Sequence, residues 1–187
     1  IIGNFGARWA KIAAMRGAEV QKLEVPYGKA IDPNELKKVL DADKNKEIKV
    51  VTLTHNETST GVTNPVKDLV KIIREHGAVS VVDGITSLGA IDCQMDAWGI
   101  DVLISGSQKG FMIPPGLAFL AANERAWELH KQCKHPSFYF SWDDYKKNLE
   151  KDTTPWTPAV NLFVALDAAL EMMREEGLEN IFARHKH

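Results

Sequence analysis

Apolar residues recur along this chain with two periods, and segments of the two kinds follow one another in a regular order. Over residues 7–16 they fall at helical spacing (Trp9, Ile12, Ala13), and Gly17 stands where such a helix would end. Residues 19–25 roughly alternate apolar and polar and predict a strand. Asp32-Pro33-Asn34-Glu35 predicts a helix start, with a capping carboxylate, a proline in the first turn and an acid at the amino end. Leu36, Val39 and Leu40 give that helix its inner face, and residues 43–47 form a charged loop. A buried strand is predicted over 48–54, then a helix over 66–76 with Leu69, Val70, Ile72 and Ile73 inward and Gly77 closing it. Further strands are predicted over 78–82, 101–105 and 117–121. Beyond Asn123 the pattern turns helical, over 124–131, 143–149, 160–175 and from Leu178 onward.

Strands alternating with helices of about ten residues are the signature of an α/β domain. The expected fold is a three-layer α/β/α arrangement around a mixed, mostly parallel sheet. The length of 187 residues supports one sizeable core, and neither a repeat nor a low-complexity segment divides it. The glycine turn at Ile1-Ile2-Gly3-Asn4-Phe5-Gly6 and the unstopped helical pattern at Arg184-His185-Lys186-His187 lead to the expectation that residues 1–187 are one domain, incomplete at both ends.

Composition narrows the function classes. A net charge of −2 gives no electrostatic reason to expect nucleic acid or an anionic membrane as partner. No apolar run approaches the length of a membrane span, and a basic, apolar leader is not expected from the opening residues. Cys93 and Cys133 stand far apart without CxxC spacing, which argues against a disulfide scaffold or a zinc site and leads to the expectation of a reducing, cytoplasmic compartment and no bound metal.

Candidate chemistry gathers at the carboxyl ends of the predicted strands, where open α/β sheets bind ligands. One strand runs into His55-Asn56-Glu57-Thr58-Ser59-Thr60-Gly61, the next into Asp83-Gly84, and the third into Ser105-Gly106-Ser107-Gln108-Lys109-Gly110. Lys109 is delivered by a turn to a strand end, among small residues. Schiff-base formation needs such a partly desolvated amine. Asp83, at the end of Val79-Ser80-Val81-Val82, is a carboxylate expected to be partly buried, and it needs a positive partner. A protonated pyridine nitrogen would supply one.

Asp83 with Ser107-Gln108-Lys109, the run from His55 to Gly61, and Pro114-Pro115-Gly116 together resemble the class V aminotransferases of fold type I. The likeness is to the alanine–glyoxylate and serine–pyruvate (serine–glyoxylate) branch. It runs from Phe5 over nearly the whole chain and covers the central part of a family subunit. The resemblance implies pyridoxal phosphate as cofactor, with Lys109 as its Schiff-base lysine and proton shuttle and Asp83 on the pyridinium. It further implies Phe5 stacked on the ring, Thr58 on the phenolic oxygen, and Gln108, with Ser107 as a weaker candidate, near the phosphate. In Asp152-Thr153-Thr154-Pro155-Trp156-Thr157-Pro158 it gives Thr154, or Thr157, a contact to the phosphate of a neighbouring subunit, hence a homodimer with shared sites. The family's upstream Ser-Gly phosphate loop and its substrate-binding arginine have no counterpart in these residues.

The activity implied is transfer of an amino group from a small amino acid, alanine or serine, to a 2-oxo acid, glyoxylate or pyruvate. The alternatives are a lyase of the same fold, such as a cysteine desulfurase, and a non-catalytic α/β domain that binds a partner. Gln108 and Phe5 argue against the lyase, whose members place histidines there. His55 is a weaker site candidate. His76, His130 and His135 read as helix-end or surface residues, and Trp98, Trp127 and Trp142 as packing. Phe138-Tyr139-Phe140-Ser141-Trp142 matches a segment near the family's active-site entrance.

Overall fold

A computed structural model describes residues 1–186; His187, read from the sequence as part of a basic helical tail, lies outside the described residues. In chain order the first half contains α1 (Asn4–Met15), α2 (Pro33–Ala42), β1 (Val50–Thr54), β2 (Asn56–Glu57), β3 (Val62–Thr63), α3 (Val66–His76) and β4 (Val79–Asp83). The second half contains α4 (Met95–Trp98), β5 (Val102–Gly106), β6 (Ala118–Ala122), α5 (Glu124–His130), α6 (Trp142–Leu149), α7 (Val160–Glu176) and α8 (Leu178–His185). Among the described residues no helix is long and apolar enough to cross a membrane.

The main sheet has the order β1-β4-β5-β6. β1, β4 and β5 are parallel, and β6 returns antiparallel to β5. Register places Leu53, Val82 and Leu103 in one row, and Thr54, Asp83 and Ile104 in the next. Because side chains alternate along a strand, the two rows face opposite sides. The first row joins Val66, Leu69, Val70 and Ile73 of α3 and Leu36 and Leu40 of α2 in the apolar core. Asp83 therefore faces away from that core, toward α1. Helices on both sides of a mixed sheet agree with the layered α/β arrangement expected.

Local chemistry explains most boundaries. Asp32 caps α2 by accepting from the Asn34 N–H at 2.9 Å, and Asn123 and Ser141 cap α5 and α6 in the same way. α3 ends at Gly77, whose φ of 97° is open to glycine at little cost. At the amino edge of the sheet a buried network replaces apolar packing. Asp101 accepts from the Ser80 N–H, the Ser80 hydroxyl, Asn123 and the Arg125 guanidinium, the last at 2.7 Å. Burial would raise its pKa, but these bonds outweigh it and hold the carboxyl below the ordinary range.

The strand expected over 19–25 does not form. Leu23 and Val25 do pack on the core around Ile31, which accounts for the alternation. The Ile1 carbonyl accepts from the Val25 N–H and the Ile1 amine donates to the Leu23 carbonyl, and two bonds to one residue make no ladder. The short hairpin β2–β3 and the one-turn α4 carry too few residues for a readable period.

Glu57, on that hairpin, is fully buried. Its carboxylate accepts from the N–H groups of Phe5 and Gly6 at the start of α1, at 3.0 and 3.1 Å, and from the N–H and hydroxyl of Ser59. α1 has no capping bond from its own N-cap, Gly3, and no acid in its first turn. Glu57 supplies both from 52 residues away in sequence. Burial works to raise its pKa, but the Ser59 hydroxyl and the three N–H groups prevail and hold it below the ordinary value. A depressed native pKa adds stability that is complete above the unfolded value, about 4.3, and is lost as pH falls through the native value. Glu57→Gln should lower stability at neutral pH by on the order of 2 kcal/mol. Urea unfolding followed from pH 7 to pH 3 should also show a smaller acid loss in the variant than in the unaltered protein.

Candidate active site

The carboxyl ends of β1, β4 and β5 bring three turns together. After β5 the chain turns through residues 107–111, with the Met112 N–H donating to the Lys109 carbonyl at 2.9 Å. This turn touches the loop that follows Asp83. A Cβ built on Gly110 would lie 2.3 Å from the Leu88 carbonyl oxygen and 3.0 Å from the Gly89 carbonyl carbon, so only glycine lets the backbones meet. The Gly84 N–H bonds the Ile104 carbonyl at 2.8 Å, closing the same seam one step earlier. Lys109 and Asp83 thus belong to adjacent turns at one sheet edge. Lys109 is exposed rather than partly desolvated, because its turn lies beyond the strand end at the rim of the sheet.

Asp83 is 5% exposed. One carboxylate oxygen accepts from the Ile85 N–H at 3.0 Å and the other from the Trp9 indole N–H at 2.9 Å. Both donors are neutral, and among the described residues no Lys or Arg pairs with it. A buried carboxylate with neutral donors alone favours a further, cationic partner.

Phe5 and Trp9 stand one turn apart on α1 and share a face. Phe5 is half-buried, with the Arg8 guanidinium 4.9 Å from its ring centroid. Thr58 is exposed in the β2–β3 turn, and its hydroxyl donates to that of Thr86 at 3.4 Å. Thr86 in turn donates to the Asn56 carbonyl at 2.6 Å, which ties the hairpin to the loop after Asp83. Gln108 is exposed, its amide folded back over Gly106.

Two expectations change. Ser107 is fully buried: its hydroxyl donates to the Pro114 carbonyl at 2.8 Å and accepts from the Leu117 N–H at 3.2 Å. It organises the turn around Pro114-Pro115-Gly116 and has no proton free for a phosphate. Thr154 donates to the Trp156 carbonyl at 2.7 Å within its own turn, whereas Thr157 is exposed. Of the two threonines, Thr157 is the one whose hydroxyl is not bonded within this turn among the described residues.

His55 is buried next to β1's end and, by alternation, faces opposite to Thr54 and Asp83. Its ring meets Trp98 edge-on at 6.0 Å, Nδ1 has no partner, and burial pushes its pKa down. Trp127, His130 and Trp142 pack on one another with centroids 5.3–5.6 Å apart, as packing residues do. Burial raises the Cys93 thiol to about 11, the setting of an inert cysteine. Among the described residues no group of three or more His, Cys, Asp and Glu side chains could hold a metal ion. Trp9, Glu57, Thr86 and Ile85 escaped the sequence reading as site residues. Only the i, i+4 spacing of Phe5 and Trp9 offered a signal for one of them.

Known proteins resemble this chain throughout. It is 48% identical over 185 residues to the soluble hydrogenase, small subunit, of Synechococcus sp. (strain PCC 6716), covering 98% of this chain and 48% of that protein. It is 39% identical over 185 residues to the L-aspartate–glyoxylate aminotransferase of Paracoccus denitrificans, covering 98% and 47%. The crystal structure of pyridoxamine-pyruvate aminotransferase from Mesorhizobium loti matches with a TM-score of 0.91 at 31% identity, covering 98% and 47%. The chain spans about half the length of the relatives it matches. The profile of the family Aminotransferase class-V matches residues 5–187, and with this fold and this sheet edge the chain belongs to that family.

Proposed function

We propose that the intact protein is a pyridoxal-phosphate-dependent aminotransferase. It moves an amino group from a small amino acid, alanine or serine, to a 2-oxo acid, glyoxylate or pyruvate. The observation that carries this reading is Asp83: a buried carboxylate with neutral donors alone, one backbone contact away from the Lys109 turn. Relatives named for glyoxylate and for pyruvate support the acceptor class.

Bound pyridoxal phosphate supplies an aldehyde carbon and an electron-withdrawing pyridinium that stabilises negative charge from the substrate α-carbon. The chain supplies the rest. Lys109 would hold the cofactor through its amine and, when that amine is free, would serve as the base that takes the substrate α-proton. Asp83 would pair with the pyridine nitrogen. Phe5 would cover the ring, Thr58 would donate to the phenolic oxygen and Gln108 would contact the phosphate. We also propose a cytoplasmic homodimer in which Thr157, or Thr154, reaches the neighbouring subunit's phosphate. The two free cysteines support the compartment. The exposed apolar side chains of Phe138, Phe140, Val160 and Val164 support the dimer.

A second reading, a subunit that binds a partner without catalysis, is favoured by two relatives named as soluble hydrogenase subunits. It places no demand on Lys109 or Asp83.

Two measurements decide between the readings. In the intact protein loaded with pyridoxal phosphate, borohydride should fix the cofactor to the peptide containing Lys109, and Lys109→Ala should abolish this labelling. An unlabelled Lys109 in the unaltered protein would sink the enzyme reading. Asp83→Ala should slow the single-turnover half-reaction with alanine or serine by at least about tenfold, from loss of one charge-assisted bond. Equal rates would remove Asp83 from the ring.

A further inference from the structure

We propose that Trp9 is a positioning residue for the cofactor ring, acting through Asp83; the inference rests on the aminotransferase reading. The Asp83 carboxylate is oriented by two bonds. Its Oδ1 accepts from the Ile85 N–H in its own loop, and its Oδ2 accepts from the Trp9 indole N–H, 74 residues away in sequence. Rotation about an aspartate's outer torsion is broad and two-fold, so one loop bond leaves the carboxylate plane loosely set. The second bond, from a different element, sets it.

The donor sits on a fixed platform. α1 is held at its amino end by Glu57, through the Phe5 and Gly6 N–H groups, and by the Ser59 hydroxyl, which accepts from the Asn4 N–H at 2.9 Å. Trp9 extends from the same face as Phe5, one turn further along. The bond to Asp83 therefore fixes the spacing between the residue proposed to cover the ring and the residue proposed to pair with its nitrogen. An indole N–H only donates, so Trp9 orients Asp83 and carries no proton in the reaction.

A half-buried indole finds an acceptor in most proteins, and a purely structural bond would affect folding alone. Cofactor binding separates the two roles. Trp9→Phe keeps an aromatic ring and removes the donor. In the intact protein it should weaken pyridoxal phosphate retention about tenfold, the factor for one lost bond to a charged group. It should also shift the ¹⁵N resonance of the labelled ring nitrogen toward the unprotonated form. Borohydride labelling of Lys109 should persist. In an Asp83→Asn background the same change should have no further effect, because the two residues act as one unit. Trp9→His, which keeps a ring N–H, should restore most of the retention. Unchanged retention and ¹⁵N shift in Trp9→Phe would overturn the proposal. So would a full tenfold loss in the Asp83→Asn background, or a Trp9→His variant as weak as Trp9→Phe. Failure to label Lys109 in the unaltered protein would instead overturn the cofactor reading, and this inference with it.

Discussion

Glu57 holds the functional edge of this molecule in place. Helix α1 presents free N–H groups at its start and has no local side chain to satisfy them. The buried Glu57 carboxylate meets two of them and adds negative charge at the positive end of the helix. Because the acceptor lies on the β2–β3 hairpin, capping the helix and locking it to the sheet edge are the same event. Phe5 and Trp9 inherit their positions from that lock. So does Thr58, the residue next to Glu57, which sits in the tight turn between β2 and β3.

The two faces of the sheet are stabilised differently, and the difference decides where chemistry can occur. Toward α2 and α3, Leu53, Val82 and Leu103 meet Val66, Leu69, Val70 and Ile73 in an apolar core. Toward α1 the corresponding positions are Thr52, which is exposed, Val81 and Ile104, which are half-buried, and Thr54, Val102 and Asp83, which are buried. Polar groups concentrate on this second face, at the carboxyl ends of parallel strands. The strand-to-turn transitions there deliver Thr58, Asp83 and Lys109 from three different segments within one small region.

Much of this was legible in the sequence, for a physical reason. Helix α3 buries one continuous face and the strands β4 and β5 are buried over nearly their whole length, so their patterns are strong. Capping signals such as Asp32-Pro33 and Gly77 mark their ends. The places of Asp83 and Lys109 were legible because a charged residue closes the apolar run of β4 and a turn of small residues follows that of β5. The segment 19–25 misled because alternation records burial of Leu23 and Val25, and burial does not require a ladder partner. Ser107 misled for the opposite reason: a hydroxyl beside the lysine looks like a ligand contact until its two bonds, to Pro114 and from Leu117, are traced. Trp9 and Glu57 could not be assigned from sequence. Their partners lie 74 and 52 residues away, and local pattern carries no information about such pairings.

Asp101 and Asp83 make the case for a cationic ligand by contrast. Both are buried aspartates, one at the amino end of β5 and one at the carboxyl end of β4. Asp101 is saturated from within the chain. Ser80 supplies two donors, Asn123 one and Arg125 a guanidinium, so its charge is balanced by the protein itself. A group satisfied in this way has no chemistry left to offer. Asp83 receives two bonds, both from neutral N–H groups, and an ionised carboxylate has about four acceptor positions. A single sheet thus holds one aspartate closed by structure and another left with acceptor capacity and no counter-charge. Among the described residues the other buried carboxylates, Glu57 and Asp101, are each met by three or more hydrogen bonds, whereas Asp83 keeps acceptor capacity that no cationic side chain fills, which supports the proposed pairing with a pyridinium.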